Sequence, residues 1–315
     1  MSTDVNISNF ARAETDVAIK KVHDLAGGFG RWFHIRQPVP LDLQEVIRMN
    51  RDTLYSGAVL DLSQPATVHL PEAGGRYQSL QVIDQDHYTF AKTTPGSYVL
   101  TEDEVGTRYA YLTVRTFFDP DDIGGTHTLQ DAVTIEGGGD GPLDIPGWDL
   151  ETLETARDAL NTLAKLGVSN EGAFGTRDEV DPIRHLVFTA AGWGGLPLKN
   201  TFAELGSVDD NDGSPHVFTV CDVPVRAFWS ITIYDADGFI PDNDIGVYSY
   251  NNVTARPNPD GSITIHLGGD PNHINYLPIA DGWNYVIRMY EPEPEILDGT
   301  WTFPRIEPAS TPALT

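Results

Sequence analysis

Cysteine is nearly absent from this chain, which limits the ways in which its fold can be held together. The 315 residues include a single cysteine, Cys221, so no disulfide bond can form within the chain. Cys221 lies in the strand-like run 217–223, and we expect it to be a small buried side chain. Long apolar runs are absent as well, because no stretch reaches the roughly 18 apolar residues needed to cross a membrane.

Basic residues are also scarce. The chain has 20 Lys and Arg residues against 46 Asp and Glu residues, which gives a formal net charge of −26 and an isoelectric point near 4.4. Such a chain repels phosphate backbones and anionic lipids, so nucleic-acid binding and membrane binding are excluded as its function. The first residues carry neither the basic nor the apolar region of a secretory signal, and the sequence therefore predicts a cytoplasmic protein.

The motifs of several common enzyme classes are missing too. The nine histidines show no HExxH or HxH spacing, and the chain has no GxSxG, CxxC or Walker motif. These absences argue against a zinc hydrolase, a serine esterase of the usual type and a phosphate-loop enzyme. The Asp-rich stretches 209–213 and 235–244 lack the full spacing of a calcium loop and are typical of turns. No cofactor is predicted, and a divalent cation remains an open alternative.

What the chain does contain is a series of short β runs separated by Gly, Pro, Asp and Asn. These runs fall between about residues 46 and 136 and again between 217 and 301. Helical spacing predicts helices over 9–26, 149–167 and 182–191. We predict a mainly β protein with helical additions, built from two antiparallel jelly-roll-like β-sandwich domains in tandem. The predicted divisions are 1–140 for the first domain, 141–200 for a helical insert and 201–315 for the second domain.

The two β regions resemble each other in sequence. Residues 77–84 match residues 228–235 in the spacing of an aromatic residue, a serine, two aliphatic residues and an aspartate, and residues 114–117 match residues 287–290. We interpret the two halves as copies of one β unit, in which Asp84 corresponds to Asp235 and Arg115 to Arg288.

A polar segment between two apolar stretches is the first candidate for a functional site. Asn50, Arg51, Asp52 and Tyr55 follow one another closely near the predicted core, where polar groups need partners. One interpretation is an Arg51–Asp52 network that holds two loops together. The other is the floor of a pocket that orients a small molecule. In the second case the predicted substrate-binding residues are Asn50, Arg51, Asp52, Tyr55, Trp193 and Arg288.

The best titratable cluster is formed by Asp84, Asp86 and His87. In a strand the two carboxylates share one face, where they can separate their pKa values for acid–base chemistry or hold a hard cation. We predict these three residues to be catalytic, with a solvated strand end as the alternative. His185 is assigned either to the mouth of a pocket beside Trp193 or to a structural hydrogen bond.

Short motifs spread along almost the whole chain resemble a known pair of families. They are residues 12–16, 50–56, 75–77, 180–184, 192–195, 228–230, 258–262, 277–278, 282–283, 288–290 and Trp301. In this order they resemble the bacterial domains of unknown function 1254, at the N-terminal side, and 1214, at the C-terminal side. The resemblance implies two jelly-roll-like β domains with added helices, similar in outline to viral double-jelly-roll capsid proteins and to an amidase that removes N-linked glycans. It implies no activity and no catalytic residues.

Three functional hypotheses follow from the sequence. The first is a hydrolase-like small-molecule enzyme with a polar pocket near the junction of the two β domains. The second is a non-catalytic module that binds a carbohydrate or another small molecule. The third is a structural double-jelly-roll protein that assembles with itself, and in each case we expect a homo-oligomer.

Overall fold

In the computed structural model, which describes residues 2–44, 47–167 and 169–309, the chain forms two compact units. Unit 1 comprises Met1–Arg36 and Leu54–Leu198, and unit 2 comprises Gln37–Thr53 and Lys199–Thr315. Up to Leu198, the predicted helical insert is therefore part of unit 1. Val46, where the first predicted β region begins, lies outside the described residues.

Unit 1 combines one antiparallel sheet with a layer of helices. Its elements are α1 (Phe10–Ala26), β1 (Phe33–His34), β2 (Thr53–Leu70), β3 (Gln78–Asp84), β4 (Thr89–Lys92), β5 (Gly96–Leu100), α2 (Glu102–Val105), β6 (Tyr109–Phe117), a 3-10 turn (Pro120–Asp122), α3 (Ile123–Ala132), β7 (Thr134–Gly139), α4 (Leu150–Ala164) and α5 (Pro182–Ala191). The strand order is β1-β2-β6-β3-β4, and β5 and β7 both pair with β2. The sheet core consists of alternate residues of β2, among them Leu60 and Val68, packed against Leu80 and Leu112.

The helices of unit 1 begin and end at local signals that the sequence contains. The α1 helix ends at Gly27, which has the left-handed φ of 76° that favours glycine. Asp149 and Asp181 cap α4 and α5 by accepting hydrogen bonds from backbone N–H groups of the first turn. The three predicted helices are therefore confirmed. One face of α1 packs on α4 and α5, while Ile19 packs with residues of β2 and β6.

Unit 2 contains two four-stranded sheets that share one hydrophobic core. Its elements are a 3-10 turn (Leu41–Leu43), β8 (Thr201–Gly206), β9 (His216–Val220), β10 (Trp229–Tyr234), β11 (Ser249–Asn251), β12 (Ile263–Leu267), β13 (Tyr276–Leu277), β14 (Asn284–Tyr290), α6 (Pro294–Leu297) and β15 (Glu307–Pro308). The sheet orders are β11-β10-β14-β8 and β13-β12-β9-β15. Trp229, Ile231 and Ile287 from the first sheet meet Phe218 and Ile265 from the second.

These elements confirm a mainly β protein with antiparallel sheets and added helices, and the β12–β13 pair is a parallel exception. The prediction for Cys221 was wrong, because this residue is exposed. Strand β9 ends at Val220, so the buried side of the strand is filled by Phe218 and Val220, and the next side chain points away from the core. Among the described residues, no helix combines the length and the apolar character needed to cross a lipid bilayer.

The two units repeat the same strand pairing with the same register. In unit 1, Ser79 on β3 lies opposite Arg115 on β6. In unit 2, Ser230 on β10 lies opposite Arg288 on β14. The predicted correspondence of Arg115 with Arg288 therefore agrees with the register of both sheets.

The turns after β3 and β10 correspond as well. The Asp84 carboxylate accepts the backbone N–H groups of residues 86 and 88, and the Asp235 carboxylate accepts those of residues 237 and 239. The fourth residue of each turn, His87 or Gly238, has a positive φ of 70° or 90°. Asp84 and Asp235 therefore hold equivalent turns.

Candidate functional site

The nine predicted site residues fall into two groups, one in each unit. Unit 2 holds Asn50, Arg51, Asp52 and Arg288, and unit 1 holds Tyr55, Asp84, Asp86, His87 and Trp193. We call the first set, together with Ser230 and Tyr290 but without Arg51, the Asp52 cluster. We call His87, Thr189, His185, Trp193 and Gly194 the His87 cluster.

The Asp52 cluster is a buried hydrogen-bond network. Asp52 Oδ2 accepts hydrogen bonds from Ser230 Oγ at 2.6 Å and from the Tyr290 hydroxyl at 3.0 Å. The Tyr290 hydroxyl in turn accepts a hydrogen bond from Asn50 Nδ2 at 2.9 Å. Asp52 is 2% exposed, so the network excludes bulk water from its carboxylate.

Opposing effects set the charge state of Asp52. Burial raises its pKa, while the positive charge of Arg288 and the hydrogen bonds from Ser230 and Tyr290 lower it. Arg288 is itself buried, and its Nη2 donates to the backbone carbonyl of Arg48 at 2.7 Å. Unit 2 therefore keeps an acid and a guanidinium together in a medium of low dielectric constant.

One oxygen of this network is unsatisfied. Asp52 Oδ1 is buried and, in the part of the chain that the structure describes, has no hydrogen-bond partner. A buried carboxylate oxygen without a donor is unfavourable, and native proteins rarely keep one without a ligand, an ion or an ordered water nearby. Asp52 is therefore the predicted residue with the most specific need for an external partner.

Arg51 does not pair with Asp52, so the proposed Arg51–Asp52 network is not formed. The Arg51 guanidinium donates from Nη1 to the carbonyl of Val39 at 3.0 Å and lies 4.9 Å from the centroid of the Tyr248 ring. The backbone bends at this point, because the Asp52 N–H donates to Asn50 Oδ1 at 2.6 Å and strand β2 begins only at Thr53, and the two side chains have different partners. Arg51 presents a half-buried cation–aromatic pair beside the cluster.

In unit 1, His87 is held at both ring nitrogens. Its Nε2 accepts the backbone N–H of Gly194 at 2.9 Å, so the ring proton lies on Nδ1 and is donated to Thr189 Oγ1 at 2.9 Å. Thr189 donates its own proton to the carbonyl of His185. Burial lowers the pKa of His87 to about 3, so the ring is neutral near pH 7. This geometry positions the loop that contains Trp193, whose ring stacks 5.5 Å from that of His87.

The two predicted catalytic carboxylates have different surroundings. Burial raises the pKa of Asp84 to about 7, and its Oδ1 is occupied by the turn hydrogen bonds. Asp86 forms ion pairs with Arg12 at 2.8 Å and with Arg177 at 3.3 Å. His185 Nε2 donates to the Asp86 carbonyl at 3.0 Å, which is the structural alternative considered for this histidine. The assignment of Asp84, Asp86 and His87 to catalysis stays a prediction.

Tyr55 packs against Arg115, an arginine that was not among the predicted site residues. The guanidinium of Arg115 lies 5.2 Å from the centroid of the Tyr55 ring. Its two terminal nitrogens donate to Gln81 Oε1 at 2.6 Å and to the Gly194 carbonyl at 2.8 Å. The glycines of this loop allow close approach, because a Cβ atom on Gly195 would lie 2.4 Å from the ring of Phe174.

The predicted site residues did not include Ser230 and Tyr290 of the Asp52 cluster, Thr189 and Gly194 of the His87 cluster, or Arg115 beside Tyr55. The sequence repeat does contain a signal for Ser230 and Arg115, because it aligns Ser79 with Ser230 and the two arginines with each other. The partnership of Ser230 with Asp52, 178 residues away, leaves no local signal. Within the described residues, no group of three or more His, Cys, Asp or Glu side chains is arranged to hold a metal ion.

Comparison with known proteins defines the family relationship. Among solved structures, the VPA0106 protein from Vibrio parahaemolyticus has a TM-score of 0.68 at 18% identity over 96% of this chain and 98% of its own. At this identity the similarity shows the fold alone. An uncharacterised protein from Burkholderia cenocepacia has a TM-score of 0.48 at 15% identity over 96% of this chain and 86% of its own. None of the curated proteins matches the chain.

Two family models match, each described as a protein of unknown function: DUF1254 over residues 29–137 and DUF1214 over residues 210–294. Their order along the chain confirms the predicted pairing. The chain therefore contains an N-terminal region that matches DUF1254 and a C-terminal region that matches DUF1214.

Proposed function

We propose that the chain binds a small polar molecule through Asp52 in unit 2. The observation that supports this function is the buried Oδ1 of Asp52, which accepts no hydrogen bond from the described residues. Leaving such an acceptor unsatisfied costs about 1–3 kcal/mol, and more for a charged group. A ligand that donates a hydrogen bond to Oδ1 removes this cost, which gives the site an intrinsic preference for molecules with donors.

The surroundings of Asp52 restrict the ligand further. Asn50 and Arg51 are half-buried, so the cluster lies directly beneath the surface of unit 2. A carboxylate repels anions, and the net charge of −26 acts in the same direction. We therefore propose a neutral or cationic ligand with hydroxyl or amine groups, such as a carbohydrate, a polyol or an amine.

The test is thermal unfolding in the presence of glucose, N-acetylglucosamine, mannitol or putrescine. We expect at least one of these probes to stabilise the wild-type chain, by about 2.7 kcal/mol at 100 times its dissociation constant. Asp52→Asn should abolish the stabilisation. The asparagine side chain has only one acceptor oxygen, so it cannot accept hydrogen bonds from Ser230 and Tyr290 at one position and from the ligand at the other. Asp235→Asn makes the same chemical change at a turn of unit 2 and should leave it intact.

Two results would contradict the proposal. One is an equal shift in the wild type and in Asp52→Asn, which would place the ligand elsewhere. The other is the absence of a shift for all four probes in the wild type. If Asp52→Asn fails to fold, Tyr290→Phe provides the second variant, because it removes one of the donors that hold Asp52 in place.

Hydrolysis of a small molecule is the second candidate function. It is supported by Asp84, because a carboxyl group with a pKa near 7 can take up or release a proton at neutral pH. A catalytic role for Asp84 predicts that the rate with nitrophenyl ester or glycoside probes rises with pH through about 7 and is lost in Asp84→Asn. A rate that Asp84→Asn leaves unchanged would exclude Asp84 as the general base.

The finer architecture of the two units is part of the proposal. Unit 2 has eight strands in two four-stranded sheets around one core, which supports a jelly-roll-like domain. Exposed apolar side chains such as Ile7 and Leu163 support self-association into a homo-oligomer. Light scattering coupled to size-exclusion chromatography tests this, and a monomer mass of 34.5 kDa at high concentration would contradict it.

A further inference from the structure

Each unit contains a serine and an arginine at corresponding positions of its sheet, and the two pairs differ in the groups that contact them. In each unit a serine on one strand lies directly opposite an arginine on the next, Ser79 opposite Arg115 and Ser230 opposite Arg288. Directly opposed residues of an antiparallel pair place their side chains on the same face, about 5 Å apart. Each pair therefore offers a hydroxyl donor beside a guanidinium.

The arginines are also held in corresponding ways. Arg115 donates to Gln81, two residues after Ser79, and Arg288 lies 3.5 Å from Thr232, two residues after Ser230. The other terminal nitrogen of each guanidinium donates to a backbone carbonyl, that of Gly194 in unit 1 and that of Arg48 in unit 2. Both carbonyls belong to residues with positive φ, 76° and 55°. The two sites thus share the same arrangement of serine, arginine and backbone carbonyl, so the groups that contact each serine–arginine pair can be compared directly.

In unit 2 a carboxylate of the chain itself occupies the site. Asp52 Oδ2 lies 2.6 Å from Ser230 Oγ, and the charge of Arg288 stabilises the ionised form of Asp52. The serine hydroxyl is therefore satisfied, and Asp52 is close enough to Arg288 for the positive charge of the guanidinium to lower the pKa of the carboxyl group.

In unit 1 the corresponding carboxylate is missing. Ser79 is fully buried, and its hydroxyl has no partner among the described residues. Arg115 is 9% exposed and donates to an amide oxygen and a carbonyl, both uncharged, and no carboxylate of the described chain forms an ion pair with it. A buried guanidinium without an anion and a buried hydroxyl without an acceptor are both unfavourable.

We propose that unit 1 binds a small carboxylate at Ser79 and Arg115, in the position that corresponds to the Asp52 carboxylate of unit 2. The ligand carboxylate accepts the Ser79 hydroxyl proton in a hydrogen bond and supplies the negative charge that Arg115 lacks. The Tyr55 ring lies 5.2 Å from the Arg115 guanidinium and is therefore close to this position.

The experiment measures binding of acetate, propionate and butyrate to the full chain by the shift of its unfolding temperature. Acetamide and inorganic phosphate are the control probes, and a salt concentration of about 0.15 M screens the net charge of the chain. We expect a saturable shift with at least one carboxylate and none with acetamide, which has the same shape without the charge.

Two serine variants form a matched pair. Ser79→Ala removes a hydroxyl that has no partner, so the chain should fold as the wild type does while its affinity for the carboxylate falls about tenfold or more, as expected for one hydrogen bond to a charged group. Ser214→Ala makes the same change at an exposed serine of unit 2, outside both clusters, and should leave the unfolding temperature and the carboxylate affinity unchanged.

Three results would overturn the inference. The first is a Ser79→Ala variant that binds the carboxylate as tightly as the wild type does. The second is an equal shift of the unfolding temperature with acetate and with acetamide. The third is a wild-type chain that shows no saturable shift with any of the three carboxylates. A shift with phosphate alone would also overturn it, because the site would then select a different anion.

Discussion

Asp84 is a buried titratable group whose ionisation should control the stability of unit 1. It is 3% exposed, and burial raises its pKa from 3.8 to about 7. Between these two values the folded chain keeps the proton that the unfolded chain has lost. The free energy of unfolding therefore falls with rising pH in this window, by about 1.4 kcal/mol per pH unit. Over the roughly three units between the two pKa values, the loss approaches about 4 kcal/mol.

Asp84→Asn removes this dependence while it keeps the turn. The asparagine Oδ1 can still accept the two backbone N–H groups that the aspartate accepts. Because the amide carries no charge at any pH, the variant avoids the cost of ionising a buried group. The stability advantage of Asp84→Asn over the wild type should therefore grow by about 2–3 kcal/mol as the pH rises from 5 to 8.

The assay is urea unfolding of both chains at half-unit steps from pH 5 to pH 8. The difference between variant and wild type cancels the general effect of the acidic surface, which both share. Asp235→Asn is the matched control, because it makes the same change in the equivalent, half-buried turn of unit 2. A difference between Asp84→Asn and wild type that stays constant with pH would refute the reasoning, since it would mean that Asp84 is ionised throughout.

Three further predictions concern hydrogen bonding and packing. Nitrogen-15 NMR should find the His87 ring neutral, with its proton on Nδ1, from pH 8 to pH 5, and a doubly protonated ring at pH 6 would contradict the geometry. Tyr290→Phe should lower the free energy of unfolding by about 1–3 kcal/mol, because it removes a buried donor to Asp52. Tyr248→Phe, which removes a hydroxyl near the surface, should lower it less. Equal losses in the two variants would contradict the buried network around Asp52. Gly195→Ala should cost about 1–3 kcal/mol because its Cβ would overlap an aromatic ring, and Gly147→Ala, which meets open space, is the control for a general effect of alanine.

The helices and the repeat could be predicted because their signals are local. Asp149 and Asp181 precede apolar helical patterns and cap the helices that follow, and Gly27 ends the first one. The repeat was visible because the same turn and the same strand pairing require the same residue types at the same spacing. Asp84 and Asp235 illustrate this, since each bonds the second and fourth residues after it.

The partners of Asp52 and His87 could not be predicted, because these contacts join segments that are far apart in the sequence. Asp52 receives hydrogen bonds from residues 178 and 238 positions further along the chain. The sequence suggested Arg51 as its partner, because the two are neighbours, but the backbone bends at Asp52 and the Arg51 guanidinium bonds to the carbonyl of Val39 instead. His87 likewise contacts a loop 107 residues away, and its role depends on that loop.

The repeat separates residues that the fold requires from residues that it does not. Both units keep an arginine bonded to a backbone carbonyl and an aspartate that closes a turn, so the shared β unit is sufficient to explain them. The fold cannot explain why one copy places a carboxylate against its serine and the other leaves that serine without a partner. Because the two units share the same strand pairing, we interpret this difference as a consequence of the ligand binding that we propose for each unit. Ser79, whose hydroxyl has no partner among the described residues, is therefore the position at which substitution should separate binding from folding.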